Sequence, residues 1–151
     1  MARGTYEITQ QGVASGAAIV TLIEFTVGAD TTAEILRAVI ENEDSEISNQ
    51  WAASFVIKSA AGTNVTTPTI NPVDPGMATS GLTLRGMCTT VGTISATHQR
   101  RGFNVLNGWE WVATEEERIV GGGQDILGLH LPVAPPLTVT ISVLLVVRVS
   151  G

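Results

Sequence analysis

From Leu137 to Val149 the sequence alternates with a period of two, so that Val139, Ile141, Val143, Leu145, Val147 and Val149 share one face. A helix needs its apolar positions roughly every 3.6 residues, so this end of the chain is committed to a long strand. The same period recurs upstream. Tyr6, Ile8 and Gln10 alternate with Thr5, Glu7 and Thr9 in a first strand. Ile19, Thr21, Ile23 and Phe25 alternate with Val20, Leu22, Glu24 and Thr26 in a second, and both of its faces are apolar enough to be covered. Trp51, Ala53, Phe55 and Ile57 line one face of a third such stretch, Trp51 to Lys58.

Turn residues divide the remainder. Pro68, Pro72 and Pro75 make residues 64–81 an irregular, extended surface loop with at most a short edge strand, because proline removes a ladder donor. Leu82 to Met87 and Thr89 to Thr97 read as strands, and His98-Gln99-Arg100-Arg101 as a polar loop. The stretch 102–131 gives strand-like pieces around Trp109 to Val112, Ile119-Val120 and Ile126 to Leu131. A charged turn at Thr114 to Arg118 and the bend Gly121-Gly122-Gly123 separate them. Ala33 to Asn42 is ambiguous. Ile35, Leu36, Val39 and Ile40 sit at helical spacing, but the strands on either side favour a strand. With eight to ten strands, no βαβ alternation and no repeat, the chain is expected to be all-β. The architecture that fits the length is an antiparallel jelly-roll sandwich of about eight strands, one domain over 1–151.

Composition narrows the function classes. Hydrophobic residues are 44% of the 151 and charged residues 15%, an apolar balance that points to burial between subunits. A formal charge of −6 argues against direct nucleic-acid binding, which draws its affinity from Lys and Arg, and Lys58 is the single lysine. The lone Cys88 excludes an internal disulfide and is expected as a small buried hydrophobe. The longest apolar run, near Leu144 to Val147, is too short to span a bilayer, and MARGTYEITQQG lacks the apolar core of a signal peptide. The expectation is synthesis in the cytoplasm, with no membrane partner.

Candidate chemistry resolves mostly into structural roles. His98 and His130 lack the clustered ligands of a cupin-type metal centre, and His130 should point away from Leu129 and Leu131. The acids from Glu41 to Glu46 lack the glycine of a calcium loop. Glu110, Glu115, Glu116 and Glu117 could supply paired carboxylates, but three consecutive glutamates at a hairpin tip are more simply a solvated turn. Asn64-Val65-Thr66 matches a glycosylation acceptor without a secretion signal to use it. Trp109 and Trp111 share a strand face and suit either core or interface packing, or a sugar-stacking platform. No cofactor, metal or catalytic residue is expected, and an enzyme is disfavoured. Phe103, Trp109, Trp111, Leu129 and Leu131 are the candidates for subunit or partner packing. Arg100, Arg101 and Arg118, with Glu115 and Glu116, are the candidates for inter-subunit ion pairs.

The segment GFNVLNGWEWVATEEERIVGGGQDILGLHLPVAPPLTVTISVLLVVRVSG resembles the C-terminal half of small proteins encoded by tailed phages. The shared pattern is an NGWEW-type strand, an E-E-R-I-V turn, an L-G-L-x-L-P strand and a long closing strand. FTVGADTTAEILRAVIEN and the loop from Pro68 to Gly76 extend the likeness from Ala18 to Gly151, while the closing LLVVRVSG is less acidic than that pattern. The resemblance implies a jelly-roll capsid decoration, or cement, protein. Such proteins sit as trimers on the outer surface of an icosahedral shell, with the major capsid protein as partner. It also implies that Ala33 to Asn42 is a strand. The alternative is a lectin-like jelly-roll module of a phage particle that binds carbohydrate through Trp109 and Trp111.

Overall fold

The computed structural model describes residues 4–43 and 46–151. Met1, Ala2 and Arg3 of the N-terminal stretch, and Asp44 of the acidic run, lie outside the described residues. The chain is all-β, with two antiparallel sheets packed face to face as a sandwich.

Eleven strands are described: β1 (Gly4–Ala14), β2 (Val20–Thr26), β3 (Thr32–Asn42), β4 (Gln50–Ala60), β5 (Thr69–Pro72), β6 (Thr83–Cys88), β7 (Thr93–Asn104), β8 (Trp109–Val112), β9 (Ile119–Gly121), β10 (Ile126–Leu131) and β11 (Thr140–Ser150). The first sheet runs β5-β1-β11-β3-β8, with β9 also pairing to β3; the second runs β6-β2-β10-β4-β7. The closing strand sits at the centre of the first sheet, between β1 and β3. Its alternating residues Val139 to Val149 are all buried, as the period requires. They meet Leu22, Phe25, Phe55, Leu127 and Leu129 of the other sheet in one continuous core.

Two bulges account for positions where simple alternation fails. In β3 the register against β11 shifts between Ile35 and Arg37, leaving Leu36 as the extra residue. Ala33 and Ile35 enter the core before the shift, Ala38 and Ile40 after it. A phase change of one residue thus produces the helix-like spacing inside a strand. In β2 the pairing with β10 skips from Ile23 to Thr21, so Leu22 is extra. Val20, Leu22, Ile23 and Phe25 all face the core, and Thr21 joins Glu24 on the outer face. Sequence alternation had placed those two residues on opposite faces.

Other departures are local. His98 to Arg101 belong to β7 rather than a loop, with Gln99 at φ 53 marking a bulge. In the bend at 121–124 the left-handed residue is Gln124, φ 69, not a glycine. The glycines serve close approach instead: a Cβ on Gly123 would lie 2.1 Å from the Ala29 carbonyl oxygen. The proline-rich loop carries the one short edge strand expected, β5 on β1. Its beginning is tied to both sheets. Asn64 Oδ1 accepts from the Gly86 N–H at 2.8 Å in β6, and Gln10 Nε2 of β1 donates to the Thr66 carbonyl at 2.6 Å.

Candidate functional site

The most concentrated polar chemistry lies on the outer face of the second sheet, where few charges belong. Phe25, Leu127, Leu129 and Phe55 point to the core, so Glu24, Gly128, His130 and Lys58 between them point away from it. The side chains of Glu24 and Lys58 are nonetheless both 0% exposed. Glu24 Oε1 accepts from Lys58 Nζ at 2.5 Å, and Oε2 accepts from Arg85 Nε of β6. Both carboxylate oxygens also lie 3.2 Å from the Gly62 backbone N–H. Lys58 donates a second bond to Thr21 Oγ1 at 2.8 Å, and Thr21 Oγ1 lies 2.9 Å from His130 Nδ1. Because the Thr21 oxygen accepts from the ammonium, its own proton is free for His130. The hydroxyl keeps a second lone pair, so the contact serves either neutral tautomer of His130.

The surrounding backbone covers the network. The turns after β4 and β6 lock together through the Thr63 N–H on the Thr90 carbonyl at 2.9 Å. Gly62 fits beside Cys88 because it has no side chain: a Cβ there would meet Cys88 Cβ at 2.9 Å. Gly128 stands between Thr21 and Val56, with a Cβ reaching 3.0 Å from Thr21 Cγ2.

Burial opposes ionisation of Glu24, but the hydrogen bonds from Lys58 and Arg85 outweigh it and hold the carboxyl below its ordinary range. Burial, then the Glu24 charge, raise the Cys88 thiol, so this cysteine is a poor nucleophile. Burial and the nearby Lys58 ammonium lower His130 to about 4. The unfolded imidazole titrates near 6.5, above the folded value, so the unfolded state takes up protons first as pH falls. The stability contributed by neutral His130 is complete above about pH 6.5 and is lost between there and about pH 4. Glu24 adds to the same trend at lower pH, since its ionised form is the one held in the fold. Denaturant midpoints measured from pH 7.5 to 4 should fall steadily, and His130→Gln should flatten the part between 6.5 and 4.

The aromatic residues gather at the opposite flank of the sandwich. Phe55 lies 4.6 Å from Trp111 and 6.0 Å from Trp109, ring centre to ring centre, and Phe103 lies 6.2 Å from both Trp51 and Trp109. Phe103 and Trp111 are buried, Trp109 is half-buried, and Leu129 and Leu131 are fully enclosed between the sheets. The two leucines therefore present no surface to another molecule. Trp111 packs its ring on Phe55 rather than offering it to a sugar. Arg118 pairs within the chain with Glu34 at 3.2 Å, and Glu34 also takes Arg148 at 2.7 Å. Arg100 and Arg101 are exposed and make no ion pair among the described residues; Glu115 and Glu116 are exposed on a 3-10 turn, Glu115–Glu117.

No group of three or more His, Cys, Asp or Glu side chains stands ready for a metal among the described residues. No helix among them is long and apolar enough to cross a membrane. Sequence reasoning missed the Glu24–Lys58–Arg85–Thr21–His130 network. Its signal was the single lysine in the apolar strand WAASFVIK and a lone glutamate within TLIEFTV. Every oxygen of the Glu24 carboxylate is engaged by the fold, which makes the network a clamp joining β2, β4, β6 and β10. Comparison with protein-family models, with curated proteins and with solved structures finds no match to the chain.

Proposed function

We propose that the chain is a virion structural protein with a jelly-roll fold. It acts as a capsid decoration protein that binds the outside of an assembled icosahedral shell and stabilises it as a homo-oligomer, with the major capsid protein as partner. The observation that carries this reading is the strand order. Strands β1-β11-β3-β8 and β2-β10-β4-β7 form two four-stranded layers in which successive strands fall in opposite sheets, except β4 and β7, which pair side by side in the second. That interleaving supports a jelly-roll reading, an architecture used by viral capsid proteins as well as by lectins and cupins. β5 and β6 are then additions at the edges of the two layers, and β9 continues the β8 position along β3.

Among the jelly-roll functions, the placement of side chains favours a structural role. His130 is turned to Thr21 under cover, and Trp111 is packed against Phe55. The work of such a protein is mechanical: apolar and charged surface on a rigid sandwich is matched to a shell, and burial of apolar area contributes about 25 cal/mol per Å² before association costs. The test is sedimentation of the purified chain with assembled shells of the virus that encodes it. Saturable co-sedimentation is the expected result. A chain that stays in the supernatant with shells present, but whose tryptophan fluorescence responds to a glycan, would replace this reading with the lectin one.

A further inference from the structure

The two sheets leave one long side of the sandwich open, between the edge strand β7 of the second sheet and β8 and β9 of the first. β7 is 12 residues long and pairs only with β4 among the described strands, while β8 and β9 pair only with β3. Both lips of this seam therefore carry backbone donors and acceptors with no ladder partner, the usual template for association. The lips differ in charge. Arg100 and Arg101 stand exposed on β7, and Glu115, Glu116 and Glu117 stand exposed across from it, between β8 and β9. Two grooves run along the seam. One, of about 410 Å³, lies between His98 and the Glu116–Glu117 turn; the other, of about 360 Å³, has Arg101 and Glu117 among its walls. Among the described residues neither arginine forms an ion pair across the seam, although the acidic turn is on the facing lip. The acidic lip also exposes apolar side chains, Val112 at 61% and Val120 at 48%.

We infer that this seam is the self-association surface of the protein: the basic β7 lip of one copy seats on the acidic β8–β9 lip of another. The occupant is a second copy because one chain carries both halves of the charge pattern. A lip-to-lip contact satisfies the charges of each copy with those of its neighbour and closes when the copies surround a symmetry axis. Val112 and Val120 lie on the acidic lip and are covered by the same contact. The inference deepens the homo-oligomer part of the proposed function and rests on it.

The test uses charge reversal at exposed positions and the molar mass in solution by light scattering. The unaltered chain should run as an oligomer. The variant R100E/R101E and the variant E115R/E116R should each weaken association by at least about tenfold, because like charges then face one another. The two reversals combined in one chain should restore it. All variants should keep the thermal midpoint expected for surface changes, which separates loss of assembly from loss of fold. An unaltered chain that is monomeric at high concentration overturns the inference. So do single-lip variants that assemble like the parent, or a combined variant that fails to reassociate. Co-sedimentation with shells by a monomeric chain would overturn this surface while leaving shell binding in place.

Discussion

Glu24→Ala is expected to lower the stability of the protein by about 3–5 kcal/mol, the cost of leaving a buried charge without its partner. The wild-type cluster sets one carboxylate against two cations, Lys58 and Arg85. Deleting the carboxylate leaves both cations adjacent, with the Lys58 side chain still 0% exposed and retaining only the bond to Thr21. Lys58→Met should be milder, since Glu24 then keeps Arg85 and the Gly62 N–H, and methionine fills the channel of the lost stem. Chemical denaturation of the three proteins at pH 7.5 checks the order: wild type, then Lys58→Met, then Glu24→Ala. Equal losses in the two variants would show that filling the space, rather than charge pairing, is what the network supplies.

Phe55→Ala is the second large effect, with an expected loss of about 3–5 kcal/mol. Phe55 is fully buried and touches both tryptophans of β8, at ring distances of 4.6 and 6.0 Å. Removing it opens a cavity where the end of the short strand β8 meets the second sheet. β8 is held otherwise by its pairing to β3, by the packing of Trp109 on Phe103 and by the exposed Arg37–Glu110 ion pair at 2.5 Å, a contact of the surface kind that contributes little. The tryptophan emission of the native variant should shift to the red as Trp111 gains water, and its denaturation midpoint should fall. An unchanged spectrum with a lowered midpoint would place the loosening elsewhere than in β8.

The legible parts of the fold were those with uninterrupted alternation. β11, β10 and the face Trp51-Ala53-Phe55 stand where their period puts them, because each has one face on the core. The antiparallel sandwich follows from the same pattern. Phase was lost wherever a bulge intervened. Leu36 in β3 and Leu22 in β2 are the extra residues of two register shifts, and a shift depends on the partner strand rather than on the local sequence. His98 to Arg101 looked like a loop because they are polar, but an edge strand can be polar on both faces when only one neighbour covers it. The triple glycine signalled a bend, and its reason lies in the Ala29 carbonyl, nearly a hundred positions earlier in the chain. The clamp around Glu24 was illegible for the same cause: its members come from β2, β4, β6 and β10, and only pairing brings them to one face.

The most direct measurement of the proposed shell-decorating role is electron cryomicroscopy of assembled viral shells prepared with and without this chain. The account predicts difference density on the outer surface only, at symmetry-related positions, each large enough for a cluster of sandwiches joined along their β7 and β8–β9 edges. Density inside the shell, at the tail alone or nowhere would contradict it.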